Sequence, residues 1–271
     1  MRLLAVETSG THGGIALMEG QETRAAPAGP PPRVIDEARL AEGLRHARDL
    51  IAAIRDACHR AAWDPRRIDL VAVSIGPGSF TGIRIAVTLA KFVAWNTGAK
   101  VVAVPTLRAM AENAPADRRR IVPILDAKRG GLFAGIFERR EGPPAEVGAD
   151  AEVPARRDVQ ADADFRARRG SGGRLSDLDE IFGPALIEPE DLARRLQTPA
   201  FILGTGIPKG RAALAAFELA PEPLWDVRPA VVAHLGWQLH EEGRYADPLC
   251  LEPVYLRPPE AQEIWDRKHG K

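Results

Sequence analysis

The chain has 271 residues, 45% hydrophobic and 27% charged, which is the composition of an ordinary globular protein with one large or two modest domains. Its 37 basic and 37 acidic residues cancel, so overall charge gives no sign of a protein that binds nucleic acid or a membrane surface. The N-terminal apolar run ends at Glu7, and no run approaches the ~20 residues needed to cross a bilayer, so we expect a cytoplasmic protein.

The first predicted elements are a hairpin and a long helix. Residues 2–7 and 15–19 are apolar strand candidates joined by a turn that contains a Gly-Gly pair. A helix is predicted over residues 36–62, because apolar residues alternate four and three positions apart. These positions are Leu40, Leu44, Ala47, Ile51, Ile54, Cys58 and Ala61. Such spacing favours packing on the chain's own sheet, and it also fits a helix bundle between proteins.

A glycine-rich loop, residues 74–84 with the sequence SIGPGSFTGIR, follows the next apolar strand candidate. Gly76, Pro77 and Gly78 predict a tight turn, and Ser79 predicts the N-cap of a helix. A helix N-terminus can bind an anion, but the lysine of a nucleotide-binding P-loop is missing here. The pattern therefore favours a loop that only turns the chain and caps the helix.

The helix predicted over residues 79–95 is apolar around more than half of its surface. Its polar residues fall in one narrow stripe: Thr81, Arg84, Thr88 and Lys91. A helix that packs only on its own sheet needs an apolar face of little more than ~100°. We therefore expect this helix to be covered from two sides, which makes a helix bundle between proteins plausible.

An internal repeat follows another apolar strand candidate at residues 100–105. Residues 120–138 repeat the pattern of residues 2–19. Each has an Arg, an apolar strand, an acid (Glu7 or Asp126), a Gly-Gly pair, a second apolar strand and a closing Glu. Because self-similarity of this kind signals repeated architecture, we predict a structural duplication.

In the second half, residues 141–180 are poor in large apolar residues, and we expect this segment to be a peripheral excursion. Helices are predicted at 190–196, 210–217 and 230–243, with a strand and loop at 200–206. Alternating apolar strands and helices predict an α/β fold with sheets covered on their faces.

Few residues are candidates for chemistry. The six histidines show no HxxxH or HExxH spacing, so a helical metal site is unsupported, and no Gly-x-Ser-x-Gly nucleophile elbow is present. Glu7 and Asp126 could face each other across a cleft and hold a metal or act as a base, although acids that end buried strands are commonly turn formers. Gly204, Thr205 and Gly206 could approach a nucleotide closely, but a single Gly-Thr-Gly is a weak signal.

Six motifs, in this order, resemble the bacterial TsaB (YeaZ) family: LLAVETSG, GPGSFTGIRIAVTLAK, VPTL, ILDAKRGGLFAGIF, LGTG and EPVYLR. The resemblance fades across residues 141–190, and Glu7 stands where many members have Asp. It implies an α/β fold of two tandem ribonuclease-H-like lobes, as in actin, sugar kinases and related ATPases. The implied lobes are residues 1–105 and 106–271, with the last helix packing back on the first lobe.

The resemblance also implies a function. TsaB proteins work with their paralogue TsaD and the small ATPase TsaE. Together they transfer threonylcarbamoyl from threonylcarbamoyl-adenylate to the adenosine beside the anticodon of tRNAs that read codons starting with A. TsaD carries the histidine metal motif and the active site, and this chain lacks that motif. The resemblance therefore implies a non-catalytic scaffold with no cofactor or metal of its own. Such a scaffold would contact tRNA only as part of the complex.

In this family the first two helices of the first lobe bind TsaD or, in its absence, a second copy. The implied interface residues are Leu40, Leu44, Ala47, Ile51, Phe80, Gly82, Ile83 and Val87. Gly82, in the first turn of its helix, is expected to admit the close approach of a neighbouring helix.

Other residues take other roles under the same resemblance. Gly76, Pro77, Gly78 and Ser79 would aim and cap the interface helix. Five residues would be remnants of a nucleotide cleft: Glu7, Asp126, Gly204, Thr205 and Gly206. The alternative functions are a nucleotide-dependent phosphotransferase of the same fold and, less favoured, a peptidase.

Overall fold

Two five-stranded sheets, one from each half of the chain, form the centre of the structure. The structure is a computed structural model and describes these residues: 1–21, 31–40, 46–128, 130–140, 178–196, 199–258, 265 and 268–269. Across these residues, no helix combines the length and the apolarity that a membrane crossing requires.

The first sheet contains strands β1 (Arg2–Glu7), β2 (Gly14–Glu19), β3 (Arg33–Arg39), β4 (Leu70–Ser74) and β5 (Lys100–Val104). Their order is β3-β2-β1-β4-β5; β1 to β3 are antiparallel neighbours, whereas β4 and β5 run parallel to β1. Strand β4 is buried along its whole length. Such continuous apolar strands belong to a sheet that is covered on both faces.

The second sheet contains strands β6 (Arg120–Asp126), β7 (Leu132–Arg139), β8 (Leu178–Ile187), β9 (Phe201–Leu203) and β10 (Glu218–Leu219). Its order is β8-β7-β6-β9-β10, again with three antiparallel strands followed by two parallel ones. Strands β6 to β10 therefore repeat β1 to β5 in order and direction. The predicted duplication is confirmed.

The described fold also contains two short 3-10 helices, Pro65–Arg67 and Glu222–Leu224, and the α-helices α1 (His46–Arg60), α2 (Phe80–Thr97), α3 (Thr106–Ala111), α4 (Pro189–Arg195), α5 (Ile207–Gly210) and α6 (Pro229–Glu241). Helices α1 and α2 cover one face of the first sheet, and α6 covers its other face. Helix α3 packs on β6 and β7 of the second sheet. Helix α3 follows the first sheet in sequence and packs on the second, whereas α6 follows the second sheet and packs on the first. This exchange joins the two lobes through one core.

The prediction of one helix over residues 36–62 is wrong at its start. The chain over Arg33–Arg39 is strand β3, which pairs with β2, and the amide of Leu40 donates to the carbonyl of Gly13 at 2.8 Å. Leu40 is buried after this strand, while residues 41–45 lie outside the description. Pairing with β2 outweighs the helical spacing of these residues. The pairing depends on a strand outside the local sequence, so the local pattern does not reveal it.

The second half departs from prediction at two places. The helix predicted at 210–217 is replaced by the short helix α5, which ends at Gly210, and by turns. Only Leu214 is buried over residues 211–217, and one apolar anchor does not hold an amphipathic helix. Strand β8 was not predicted, and most of the segment predicted as peripheral, residues 141–177, lies outside the description.

Candidate partner-binding surface

The glycine-rich loop before α2 packs tightly against the rest of the chain. Gly76 has a φ of +112°, and a Cβ there would lie 2.8 Å from the carbonyl oxygen of Val254. A Cβ on Gly78 would lie 2.4 Å from the carbonyl oxygen of Ser9. Only glycine fits these close approaches. The loop, with Pro77 between the two glycines, is therefore shaped by packing inside this chain.

Ser79 caps helix α2, as predicted. Its hydroxyl accepts a hydrogen bond from the amide of Gly82 at 3.3 Å, and its own amide donates to the carbonyl of Ser9 at 2.7 Å. An N-cap hydroxyl of this kind satisfies one of the free amides in the first turn of a helix. The loop thus fixes where α2 begins and how it leaves the first sheet.

The expectation that Gly82 admits a neighbouring helix is wrong. A Cβ at Gly82 would lie 1.8 Å from the carbonyl oxygen of Thr8, and the Thr8 hydroxyl donates to the Gly82 carbonyl at 2.6 Å. The close neighbour is the loop after β1 of the same chain. Gly82 is buried there and supports the fold of the first lobe.

The eight residues implied as an interface fall into different environments. Ile83 and Val87 are 1% and 4% exposed, in the core between α2 and the first sheet, so they support the helix from beneath and do not line its outer side. Leu40 is likewise buried. Leu44 and the side chain of Ala47 lie outside the description.

The outer side of α1 and α2 exposes large apolar side chains. Ile51 on α1 is 57% exposed, and Phe92 and Trp95 on α2 are 61% and 89% exposed. Leu249 lies beside α2, because its carbonyl accepts a hydrogen bond from the Lys91 ammonium at 3.3 Å, and it is also largely exposed. We call Ile51, Phe92, Trp95 and Leu249 the α2 surface. Three of these residues lie on or beside α2, and large exposed apolar areas of a protein surface mark interaction sites.

Sequence reasoning missed Phe92 and Trp95, although a signal for them was present. The polar residues Thr81, Arg84 and Thr88 were placed on one stripe by their spacing, and the structure exposes all three. Residues 92 and 95 continue that stripe at intervals of four and three, which are neighbours on a helix surface. The periodicity therefore placed both aromatic residues on the outer side of α2. This outer side, which was expected to be covered, is open in the single chain.

Phe80, at the start of α2, is partly covered by the C-terminal segment. Its ring stacks on Tyr255 with 4.8 Å between the ring centroids, and the guanidinium of Arg84 lies 4.8 Å from the same ring. Phe80 remains at the surface, next to the outer stripe of α2.

Glu7 is fully buried at the end of β1 and holds its own loop. Its Oε1 accepts hydrogen bonds from the amide and the hydroxyl of Ser9, both at 2.5 Å. Burial raises the pKa of Glu7 above its ordinary value, against the opposing effect of the hydrogen bonds from Ser9. A buried carboxyl engaged in this way acts as a turn former.

Asp126 ends the equivalent strand β6 but is neutralised by lysines. Its Oδ1 accepts from the Lys209 ammonium at 2.7 Å and from the Lys128 amide at 2.8 Å. Burial acts to raise the pKa of Asp126, but the hydrogen bonds from Lys209 and Lys128 outweigh it, and the pKa is lowered. In the part of the chain that the structure describes, no three His, Cys, Asp or Glu side chains gather as metal ligands.

The Gly-Thr-Gly turn after β9 is also explained by packing. Gly204 has a φ of +118°, and a Cβ there would lie 2.1 Å from the carbonyl oxygen of Ile124. The amide of Gly206 donates to the same carbonyl at 3.2 Å, with Thr205 half-buried between the two. The turn is the second-lobe counterpart of the loop at Gly76.

Comparison with known proteins gives consistent matches. The profile of a family described as "TsaD: tRNA N6-adenosine threonylcarbamoyltransferase" matches residues 42–142. The Bacillus subtilis tRNA threonylcarbamoyladenosine biosynthesis protein TsaB is 31% identical over 265 residues, which cover 98% of each chain. The chain belongs to the TsaB family. The resemblance seen in the sequence motifs is therefore confirmed.

Other TsaB proteins and a solved structure agree with this assignment. The Haemophilus influenzae TsaB is 25% identical over 100% of this chain and 98% of its own. The Escherichia coli TsaB is 28% identical over 98 residues, 35% of this chain and 42% of its own. YeaZ from Pseudomonas aeruginosa superposes with a TM-score of 0.66 at 19% identity, over 94% of this chain and all of that one. The structural match confirms the two-lobed α/β fold.

Proposed function

We propose that this chain is a non-catalytic, partner-binding subunit of the machinery that makes threonylcarbamoyladenosine in tRNA. Its relatives are named for that biosynthesis. The observation that carries the proposal is the exposure of Phe92 and Trp95 on the outer side of α2, since aromatic side chains are enriched among the residues that dominate binding energy at protein interfaces. Within this machinery the threonylcarbamoyl group passes from its adenylate to the adenosine beside the anticodon.

The partner that docks on the α2 surface is a TsaD-type paralogue. In its absence a second copy of the chain takes the same place through a symmetric interface. A TsaE-type ATPase completes the complex. The chain contacts tRNA through this complex, in the cytoplasm. The first-lobe helices present the apolar surface, and the glycine-rich loop sets the direction of α2.

We assign the chemistry to the partner because Asp126 and one carboxyl oxygen of Glu7 are engaged in contacts within this chain. Glu7 is buried against Ser9, and Asp126 is paired with Lys209 and Lys128. A phosphotransferase of the same fold would need both acids free to hold Mg²⁺ and nucleotide. These contacts favour the binding subunit over the phosphotransferase.

Reconstitution tests the proposal. The chain is combined with TsaD-type and TsaE-type proteins, tRNA and threonylcarbamoyl-adenylate, and modified adenosine is measured while each protein is omitted in turn. We expect no product from this chain alone and a strong loss of product when it is omitted. Product formed by this chain alone, or an undiminished rate without it, would contradict the proposal. ATP hydrolysis by the isolated chain would favour the phosphotransferase.

A further inference from the structure

The segment that follows α6 runs along the first lobe beside α2. The amide of Ala246 donates to the carbonyl of Val101 on the edge strand β5 at 2.8 Å. Farther on, the Leu249 carbonyl accepts from Lys91 of α2, and Leu251 is buried in the core formed by α1, α2 and the first sheet. We call residues 246–257 the strap. Its first half is fixed to the flank of α2.

The second half of the strap crosses from the start of α2 to the second lobe. The amide of Val254 donates to the carbonyl of Ile75 at 2.7 Å, and the ring of Tyr255 stacks on Phe80. Two residues later, Nη1 of Arg257 donates to the carbonyls of Ala127 and Lys128 at 2.7 and 3.0 Å. These two carbonyls belong to the loop between β6 and β7.

The loop that receives Arg257 needs to be held in place. Lys128 has a φ of +60°, the left-handed region that costs free energy for a residue with a side chain. Three contacts hold it: the Asp126 carboxylate accepts hydrogen bonds from its amide and from its ammonium group, and Arg257 donates to its carbonyl. Hydrogen bonds that involve a charged group are stronger than neutral ones. Release of Arg257 would therefore loosen a loop that is strained.

We propose that the strap couples helix α2 to the β6–β7 loop, so that a partner docked on α2 also orders Ala127 and Lys128 of the second lobe. The coupling passes through the stack of Tyr255 on Phe80 and through Arg257. It rests on the proposed docking of a TsaD-type partner at α2. It assigns a role to the EPVYLR motif, which the docking surface itself does not explain.

Amide hydrogen exchange of the full chain tests the link without any partner. The Ala127 amide is a probe of the loop, because it donates to the Gly131 carbonyl. We expect Arg257→Ala to raise exchange at Ala127 and Lys128 roughly threefold to tenfold, the range for one lost hydrogen bond. Arg244→Ala is the matched control, since Arg244 is an exposed arginine before the strap that pairs with Glu242. Equal exchange in the two variants would overturn the proposal.

A second pair of variants separates the stack from the hydroxyl group of Tyr255. Tyr255→Phe keeps the aromatic ring and should leave exchange at Ala127 and Lys128 unchanged. Tyr255→Ala removes the ring and should raise exchange both there and at the start of α2. If Tyr255→Ala acts only on α2, the stack does not reach the second lobe and the proposed route is wrong.

Amide hydrogen exchange measured in the presence of the TsaD-type partner distinguishes the proposed coupling from the proposed docking. In the wild type we expect slower exchange on α2 and at Ala127 and Lys128 together. In Arg257→Ala the partner should still slow α2 but lose its effect at these two residues. Protection of wild-type α2 without any change at Ala127 and Lys128 would overturn the coupling while the docking stands. If α2 is not protected at all, the proposed docking has failed, and the coupling of partner to loop fails with it.

Discussion

The two lobes have the same strands but very different helices. The outer face of the first sheet is covered by α1 and α2, of 15 and 18 residues, whereas their counterparts in chain position, α4 and α5, have 7 and 4 residues. The turns are retained: Gly76 and Gly204 follow the equivalent strands β4 and β9, and both have positive φ values. The duplication thus preserves strand order and turn geometry. The helices differ in length, and among the described residues the long pair that covers the outer face of a sheet belongs to the first lobe.

The largest expected effect comes from adding a side chain at Gly82, which packs against the backbone of Thr8. Gly82→Ala should lower the free energy of unfolding by roughly 3 kcal/mol, because its Cβ would meet backbone that cannot move without disturbing β1. Urea unfolding measures the loss. The control is Gly243→Ala, where no atom lies within 4 Å of the new Cβ and only the φ of +72° opposes the change, at about 1 kcal/mol. Equal losses would show that the Thr8 contact is unimportant.

The next largest effect is on partner binding, and it is expected for an exposed apolar side chain of the first lobe but not of the second. Trp95→Ser should weaken binding of a TsaD-type partner by about 2 kcal/mol, or roughly 30-fold in Kd, without changing stability. Ile181→Ser is the control, because Ile181 on β8 of the second lobe is also an exposed apolar residue. Calorimetry should show binding by Ile181→Ser within about twofold of the wild type, as expected for a residue outside an interface. A loss in the second-lobe variant alone would move the docking surface to that lobe.

A smaller effect is expected at the acid of the second lobe. Asp126→Asn should lower the free energy of unfolding by about 1 kcal/mol at neutral pH, since partly exposed ion pairs contribute little. The pKa of Asp126 is lowered in the folded state, so its contribution is present above its ordinary value of 3.8 and is lost as pH falls through the lowered pKa. Unfolding curves of both proteins should therefore converge in acid. A constant gap across pH would contradict this origin.

The smallest effect has the opposite sign and comes from the acid of the first lobe. Burial raises the pKa of Glu7, so its stabilising contribution is full below the ordinary value of 4.5 and is lost as pH rises through the raised pKa. Glu7→Gln keeps an oxygen that can accept from Ser9 and stays neutral. It should be more stable than the wild type at pH 8, by under about 1 kcal/mol, and lose that advantage near pH 4. A variant less stable than the wild type at pH 8 would show that the charge is needed.

Much of the fold follows from local sequence signals. The strands β1, β2, β4 and β6 were predicted because they are short apolar runs. The acid that ends β1 and β6, with the Gly-Gly pair that follows each, revealed the duplication. Ser79 was predicted as an N-cap because small hydroxyl residues before an apolar helix have that role. Each of these features depends on residues close together in the chain.

The features that were missed depend on distant contacts. Residues 36–40 have helical spacing but are recruited by β2, and Gly82 is restricted by Thr8, which no local pattern reveals. The strap could be recognised as a motif, but its contacts with Ile75, Phe80 and the second lobe needed the folded chain. The predicted interface residues on α2 include the buried Ile83 and Val87, because all apolar positions of the helix were considered together and those facing the sheet were not separated from those facing outward.

The central claim is that this chain contributes binding and no chemistry. The most direct test is the rate of tRNA threonylcarbamoylation, measured with fixed TsaD-type and TsaE-type proteins while the Trp95→Ser chain is titrated. The account predicts the same maximal rate as for the wild type, reached at roughly 30-fold higher concentration, because only assembly is weakened. A maximal rate that stays low after saturation, or that is abolished by Asp126→Asn in a fully assembled complex, would contradict the account and place chemistry in this chain.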